Sequence, residues 1–352
     1  MERARLTRQL ARIAEERGNG AEAAEIMQEV AVETYGALSK EEKVAFVLEQ
    51  VRLVLDRGDY VRAQILAKKV NPRTFVEKAP AKEGAAARKL DSSIHPPLAG
   101  TPTLSELKLI YFRLMVRYHL HANDYLEVCR AHQAIYEAPE VAADAARWQP
   151  ELKRIALFCA LSPRSPMQQS LLAATLADKK LSDLPAHAQL LRALSTHELV
   201  DWPALSAVLE PELGAESPLF DLQGPQAEVA AKRRADLALR VVEHNVHTLA
   251  RYYSKVSLGR LAELLSLSGE EAEKRLCAMV SAKAVRAKLD RPAGVVSFVR
   301  EGGAGAAGGE GQEEALLNAW GATTEKLLHL VEVAVHKMHK DATTHRISLT
   351  AV

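Results

Sequence analysis

The sequence has few aromatic residues and only three cysteines. Aromatic residues make up 5% of its 352 positions, and alanine and leucine dominate instead. Cys129, Cys159 and Cys277 lie far apart within apolar helical patterns, where a cysteine behaves as a small buried hydrophobe. The sequence therefore predicts neither a disulfide nor a zinc site, and its composition favours helix.

Long hydrophobic runs and an excess of charge of one sign are also absent. No run reaches the roughly 18 apolar residues that a membrane span needs, and Met1 leads straight into a charged helical pattern rather than a secretory signal. Lys and Arg number 46 against 45 Asp and Glu, a formal net charge of +1. We therefore expect a protein of the cytoplasm and nucleus, without membrane contact and without the basic footprint of a nucleic-acid-binding protein.

One motif, a polar turn between two amphipathic helical patterns, recurs along the N-terminal part of the chain. Segments 17–26 and 57–66 are about 40 residues apart. A third copy at 122–129 comes late because residues 78–103 interrupt the period with Ala, Gly, Pro and Ser, which bury too little apolar surface to fold. The period is that of stacked helical hairpins. We expect a mainly α fold with a tetratricopeptide-like solenoid over residues 1–225.

Capping residues and prolines mark the ends of these helices. Ser39 followed by Glu42 predicts a helix start. The proline-containing segments 162–166 and 211–225 predict breaks, and the second break precedes a long helix at about 226–253. We expect the solenoid to pass into the next domain within that long helix.

Residues 243–300 have the order helix, short helix, helix and two short strands, which is typical of a winged helix-turn-helix. Ser257 offers an N-cap oxygen to the short helix. Ser268 and Glu271 form a capping-box pattern before the third helix. We assign residues 226–300 to this winged-helix part.

An alternating segment, 285–290, and a mostly apolar segment, 295–299, follow the third helix and predict a two-stranded wing. We expect the second strand to keep an open edge, which a neighbouring protein can extend by adding a strand. The interface candidates on this strand are Val295, Val296 and Phe298.

Acidic residues on the third helix help to decide between nucleic acid and protein as the ligand. Glu270, Glu271 and Glu273 lie toward the end that a duplex-reading helix inserts into the major groove. Duplex affinity rests largely on neutralising phosphates, which these carboxylates repel. The sequence favours protein contact, and a nucleic-acid-binding winged helix is the weaker alternative.

A glycine-rich segment at 301–312 is predicted to be a linker to a last helix at 313–340. Its G-x-G-x-x-G spacing at 303–308 matches a dinucleotide-binding fingerprint, but no buried parallel strand follows to complete that site. The last helix has a heptad seam. Because a tethered lone helix has little stability, we expect the seam to pack against partner helices, or alternatively against its own solenoid. The interface candidates on the seam are Leu317, Trp320, Leu327, Val331 and Met338.

No convincing catalytic group is evident. His119 and His121 have the H-x-H spacing of a zinc isopeptidase, but Cys129 and His132 stand about where that chemistry needs a serine and an aspartate. A metal site needs three or four convergent ligands, so we interpret the pair as the end of a solenoid helix. We expect a protein that is not an enzyme and that has no cofactor and no metal.

Helical repeats that run through a long helix into a winged helix resemble the PCI domain of scaffold subunits in the proteasome lid, the COP9 signalosome and translation initiation factor 3. Short phrases along nearly the whole chain are similar to the non-ATPase regulatory subunit 12 family of the 26S proteasome. The winged-helix phrases are also similar to the signalosome paralogue. The phrases are residues 2–6, 32–36, 64–71, 241–245, 250–253 and 287–294.

This resemblance implies a non-catalytic scaffold that supports ubiquitin-dependent protein degradation, with a signalosome scaffold as the alternative. Family members pair their winged helices edge to edge and gather their C-terminal helices into one bundle. The implied partners are other lid PCI subunits and the lid deubiquitinase, with the base ATPases as further candidates, in a hetero-oligomer. Two departures stand out: the insertion at 78–103, and an N-terminus that begins where the family already has several helical hairpins.

Overall fold

The computed structural model is mainly helical with one small sheet, as the sequence predicts. The chain divides into two compact units, residues 1–245 and 246–352. Most of the predicted insertion, residues 78–100, lies outside the described residues. The structure describes residues 2–32, 39–71, 75, 101–215, 219–220, 227–298 and 309–345.

The first unit consists of successive helices, several of them paired as antiparallel hairpins. A short 3₁₀ helix, Lys179–Asp183, lies between the ninth and tenth α-helices. The helices are α1 (Glu2–Glu16), α2 (Gly20–Gln28), α3 (Lys40–Asp56), α4 (Tyr60–Lys69), α5 (Leu104–Ala122), α6 (Tyr125–Tyr136), α7 (Pro139–Ala142), α8 (Ala145–Leu161), α9 (Pro166–Leu176), α10 (Pro185–Ser195), α11 (Trp202–Ala215) and α12 (Ala227–Tyr252), the last of which continues into the second unit.

In the structure, each copy of the recurring motif is a helix C-terminus with the same capping conformation. Gly18, Gly58 and Asn123 occupy equivalent turn positions and have positive φ angles of 83°, 81° and 56°. In each turn the next residue donates its N–H to the carbonyl five positions back, at 3.0 to 3.1 Å. This is the Schellman pattern, which favours glycine or asparagine in the left-handed conformation. The three predicted hairpins, α1–α2, α3–α4 and α5–α6, therefore turn by the same backbone chemistry.

The core of the first unit is aliphatic, with a few aromatic rings at its centre. Phe158 is fully buried, with its ring centroid 5.8 Å from that of His132 and 6.3 Å from that of Phe220. Cys129 and Cys159 are buried in the same region, as predicted. The third cysteine, Cys277, is exposed on the second unit, so the expectation that it is buried is wrong.

Most predicted helix boundaries are confirmed. Ser39 accepts a hydrogen bond from the backbone N–H of Glu42 at the start of α3, and the break at 162–166 separates α8 from α9. The predicted break at 211–225 is wrong at its beginning, because α11 continues through Pro211 to Ala215. Proline lacks a backbone N–H, so a helix that includes it loses one internal hydrogen bond. This loss does not end α11.

Side chains of the long helix α12 hold a neighbouring loop by hydrogen bonds to the backbone of that loop. The Asn245 side chain accepts from the N–H of Val200 at 2.8 Å and donates to its carbonyl at 2.9 Å. His244 Nε2 donates to the carbonyl of Glu198 at 3.2 Å, and burial lowers the pKa of this histidine. The amide of Asn245 thus replaces the partner strand that Val200 lacks.

Replacing Asn245 with alanine removes both bonds and leaves the peptide groups of Val200 without their partner. We expect Asn245→Ala to lower the free energy of unfolding by about 2 kcal/mol, measured by urea denaturation. Lys232→Ala, at an exposed position of the same helix, is the control and is expected to change stability by less than about 0.5 kcal/mol. Equal stability of the two variants would contradict this role.

The second unit contains a three-stranded sheet between helices. Its elements after α12 are β1 (Lys255–Ser257), α13 (Leu258–Leu265), α14 (Gly269–Ser281), β2 (Ala287–Asp290), β3 (Val295–Phe298) and α15 (Gly309–His345). The predicted caps are confirmed: Ser257 caps α13, and Ser268 and Glu271 form the capping box of α14. The last helix is longer at both ends than the predicted 313–340. It includes the end of the predicted linker, and residues 301–308 lie outside the described residues.

Candidate protein-interaction surfaces

The sheet of the second unit has the strand order β1-β3-β2, with both pairs antiparallel. The expectation of an open edge on the second wing strand is therefore wrong, because β3 is the middle strand. Val296 and Phe298 are buried on it, at 0% and 6% exposure, and Val295 is half-buried. Val299 lies outside the described residues. Among the described residues, the edges of this sheet belong to β1 and β2.

The strand β1 was not predicted from the sequence, and with only two strands expected, both wing strands have an open edge. Only three residues, Lys255–Ser257, form this strand. Its alternation of one buried valine between two exposed residues is too short to distinguish from a loop. The feature of the sequence that could have indicated β1 is this alternation, which ends at the helix-capping residue Ser257.

The two faces of the sheet differ in chemistry. Residues directly opposite each other on neighbouring strands point to the same face. Lys255, Ser297 and Lys288 form one such row across the three strands. Both lysines are exposed and Ser297 is half-buried. This row lies on the outer face of the sheet, whereas Val296 and Phe298 face the core.

The β2 edge presents backbone groups that the sheet does not use. Phe298 donates its N–H to the carbonyl of Ser254 at 2.9 Å, so the backbone groups of Phe298 and Val296 point toward β1. Those of Val295 and Ser297 then point toward β2, because the direction alternates along a strand. The N–H and C=O groups of Ala287 and Leu289 consequently point away from β3.

Of the three acidic residues that were predicted to repel phosphate, two form hydrogen bonds or ion pairs within the second unit. Glu271 closes the capping box of α14, and Glu273 pairs with Arg291 at 2.6 Å. Residues 246–298 contain nine Lys and Arg against five Asp and Glu. The winged-helix part is therefore basic by four charges, which the near-neutral total of the whole chain does not reveal.

The last helix presents an exposed apolar surface. Every side chain described on it, from 317 to 341, is exposed. The predicted seam residues Leu317, Trp320, Leu327, Val331 and Met338 are 51% to 66% exposed. A helix with such a face is stabilised when that face packs against another apolar surface.

Further apolar residues on α15 extend beyond the predicted seam. Leu328 and Val335 widen it on one side, whereas Leu330 and Val333 lie on other faces, and all four are exposed. A two-stranded pair needs only the narrow heptad seam. Apolar side chains around most of a helix are typical of one surrounded by several neighbours.

The residues considered for catalysis do not form a site in the described part of the chain. His119 and His121 lie in the last turn of α5, as predicted for a helix end, and His121 stacks on Tyr60 with ring centroids 3.5 Å apart. His132 is buried with its Nδ1 2.6 Å from Glu151. Among the described residues, no group of three or more His, Cys, Asp and Glu is arranged to hold a metal ion. None of the helices described is both long and apolar enough to span a bilayer.

Comparison with known proteins covers nearly the whole chain. Residues 1–144 match the family described as PSMD12/CSN4, N-terminal, and residues 218–300 match the PCI domain. The 26S proteasome non-ATPase regulatory subunit 12 homolog B of Arabidopsis thaliana is 45% identical over 353 residues, which cover 100% of this chain and 76% of the relative.

Relatives with lower identity have names of the same kind. The 26S proteasome non-ATPase regulatory subunit 12 of Dictyostelium discoideum is 35% identical, over 99% of this chain and 68% of the relative. The 26S proteasome regulatory subunit RPN5 of Saccharomyces cerevisiae is 32% identical, over 98% of this chain and 69% of the relative. The resemblance identified from the sequence is confirmed, and the chain belongs to the family of 26S proteasome non-ATPase regulatory subunit 12.

Proposed function

We propose that this chain is a non-catalytic scaffold subunit in the lid of the 26S proteasome regulatory particle, where it supports ubiquitin-dependent protein degradation. The observation that carries the proposal is the exposed apolar face of α15, on a chain whose relatives are named as proteasome regulatory subunits. A scaffold needs surfaces that other subunits cover, and this helix is such a surface. The names of these relatives favour the proteasome over the signalosome alternative.

The proposed partners are other PCI subunits of the lid and the lid deubiquitinase, with the base ATPases as further candidates. Two surfaces serve the assembly: α15, through Leu317, Trp320, Leu327, Val331 and Met338, and the sheet of the winged helix. Permanent assemblies of this kind bury large and fairly apolar interfaces, which the face of α15 suits. We place the assembled protein in the cytoplasm and nucleus.

Protein is a better ligand for the winged helix than a nucleic-acid duplex. Within the described residues, the β2 edge offers unpaired backbone groups beside half-buried Ala287 and Leu289, and an extended peptide can pair with both kinds of group. A duplex reader instead places many cations along the groove-facing helix. On α14, Glu270 and Glu271 occupy the first turn.

Introducing charge into the apolar face of α15 tests the scaffold proposal. The double variant Leu327→Glu/Val331→Glu is expressed with a tag in its native cell. We expect the amount of co-purified lid subunits to fall at least about tenfold, because burying carboxylates at an apolar interface has a large desolvation cost. The amount of each subunit is measured by quantitative mass spectrometry.

The control is His329→Glu, which introduces a single negative charge on the opposite side of the same helix. It is expected to retain more of the co-purified subunits than the double variant. The melting temperature of the isolated double variant should equal that of the unmodified chain. If the isolated variant melts at a lower temperature, α15 packs on its own chain, and the proposed role of this helix is wrong.

A further inference from the structure

We propose that Cys129 and Cys159 are a redox-sensitive pair, and that a small peroxide oxidises them to a disulfide that locks α6 to α8. The two residues lie far apart in the sequence, where no pattern pairs them. The fold brings both into one buried cluster at the centre of the first unit. This inference goes beyond the proposed scaffold function and does not depend on which subunits surround the chain.

The packing of α6 against α8 places the two thiols side by side. Cys129 on α6 donates to the carbonyl of Ile155 at 3.5 Å. That carbonyl belongs to the helical turn just before Cys159 on α8, because a helical N–H pairs with the carbonyl four residues back. The thiols of Cys129 and Cys159 are also hydrogen-bonded to each other. Two thiols in contact meet the geometric requirement for a disulfide.

The second thiol lies where α8 contacts α9. The sulfur of Cys159 is 3.9 Å from the carbonyl of Gln168, and the Gln168 amide donates to the carbonyl of Cys159 at 3.1 Å. Both cysteines are 0% exposed. The pair therefore lies in the core, at a point of α8 that touches the helices before and after it.

A link at this point would join two parts of the first unit. The helix α6 lies within residues 1–144, the region that matches the N-terminal family, whereas α8 begins at Ala145. A disulfide would close the loop of residues 129–159. Closing a loop restricts the unfolded chain and so stabilises the fold. Oxidation would therefore make the joint between α6 and α8 harder to open.

Hydrogen peroxide can oxidise the pair in two balanced steps. One thiolate attacks a peroxide oxygen, so an S–O bond forms, the O–O bond breaks, and the leaving hydroxide takes up the proton that the thiol released. The second thiol then attacks the sulfenic sulfur, so the S–S bond forms, the S–O bond breaks, and hydroxide leaves with that thiol's proton as water. The thiols lose two electrons, and peroxide becomes two molecules of water. A thiol reductant reverses the link.

The surroundings of the pair make the first step slow in the closed fold. The hydrogen bond to Cys159 and burial raise the pKa of the Cys129 thiol well above its ordinary value. Because the thiolate is the nucleophile, the closed core resists oxidation. Reaction requires a local opening that admits water and peroxide. The pair is thus protected while the joint is closed and reactive when it opens.

Two buried cysteines can also serve only as small apolar residues of the core. That explanation predicts oxidation only after the whole chain unfolds. Our proposal instead predicts oxidation of the folded chain through a local opening. The two explanations therefore differ in how the oxidation rate depends on urea.

Peroxide treatment of the isolated full chain tests the pairing. The third cysteine, Cys277, is exposed and is removed by Cys277→Ser. We expect the remaining thiols to disappear together, and peptide mapping without reduction to find Cys129 joined to Cys159. In the same background, Cys129→Ala and Cys159→Ala are the matched controls and should form no link within the chain. Thiols that stay reduced while Cys277 of the unmodified chain is fully oxidised would overturn the proposal.

The urea dependence of the oxidation rate separates local opening from global unfolding. A local opening exposes less surface than global unfolding, so its equilibrium constant rises less steeply with urea. We expect the logarithm of the oxidation rate, measured where the chain stays folded, to rise with less than about half the slope of the global unfolding constant. Equal slopes would show that only the unfolded chain reacts, and the proposal would be wrong.

Urea denaturation of the oxidised chain tests the lock. We expect the equilibrium constant for unfolding to be at least about tenfold smaller with the link than without it, and dithiothreitol to restore the original value. An oxidised chain that unfolds as readily as the reduced one would contradict the locking role. These measurements use the isolated chain, so their failure leaves the scaffold function standing. A tagged chain that purifies without lid subunits contradicts the scaffold function alone.

Discussion

Apolar stripes on helices have to be covered, and this requirement governs the whole chain. In the first unit the hairpins cover one another: α3 packs against α2, α4 and α5, and α6 packs against α5 and α8. Burial of this kind is the main favourable term in folding. The helix α15 carries the same kind of stripe, but its described side chains from 317 to 341 are exposed. The physics that stacks the solenoid therefore also favours assembly.

Local signals predicted the parts of the fold that depend on a few neighbouring residues. The capping pairs Ser39 with Glu42 and Ser268 with Glu271 are confirmed because a side-chain cap acts over one helical turn. The repeated turns at Gly18, Gly58 and Asn123 are equally local. The period of about 40 residues is therefore visible in the sequence as a repeated C-cap.

Strand order could not be predicted, because it depends on contacts between distant residues. Val256 lies opposite Val296 across 40 positions of the chain, and nothing in three residues of β1 announces that pairing. Its insertion beside β3 moves the free edge to β2. The interface candidates on α15 depend instead on helical spacing, so their position on one face of a single helix could be anticipated from the sequence. Whether partner subunits cover them remains a prediction. Charge is limited in a similar way, because the net charge of the whole chain does not reveal that the winged-helix part is basic.

The central claim is that this chain works as part of a larger proteasomal assembly. It is tested most directly by tagging the protein in its native cell, purifying it at moderate salt with ATP present, and identifying the stoichiometric partners by mass spectrometry. Proteasome ATPases, other lid subunits and the lid deubiquitinase are the predicted result. A complex of signalosome subunits would assign the chain to the paralogous scaffold, and a chain recovered alone would contradict the scaffold function.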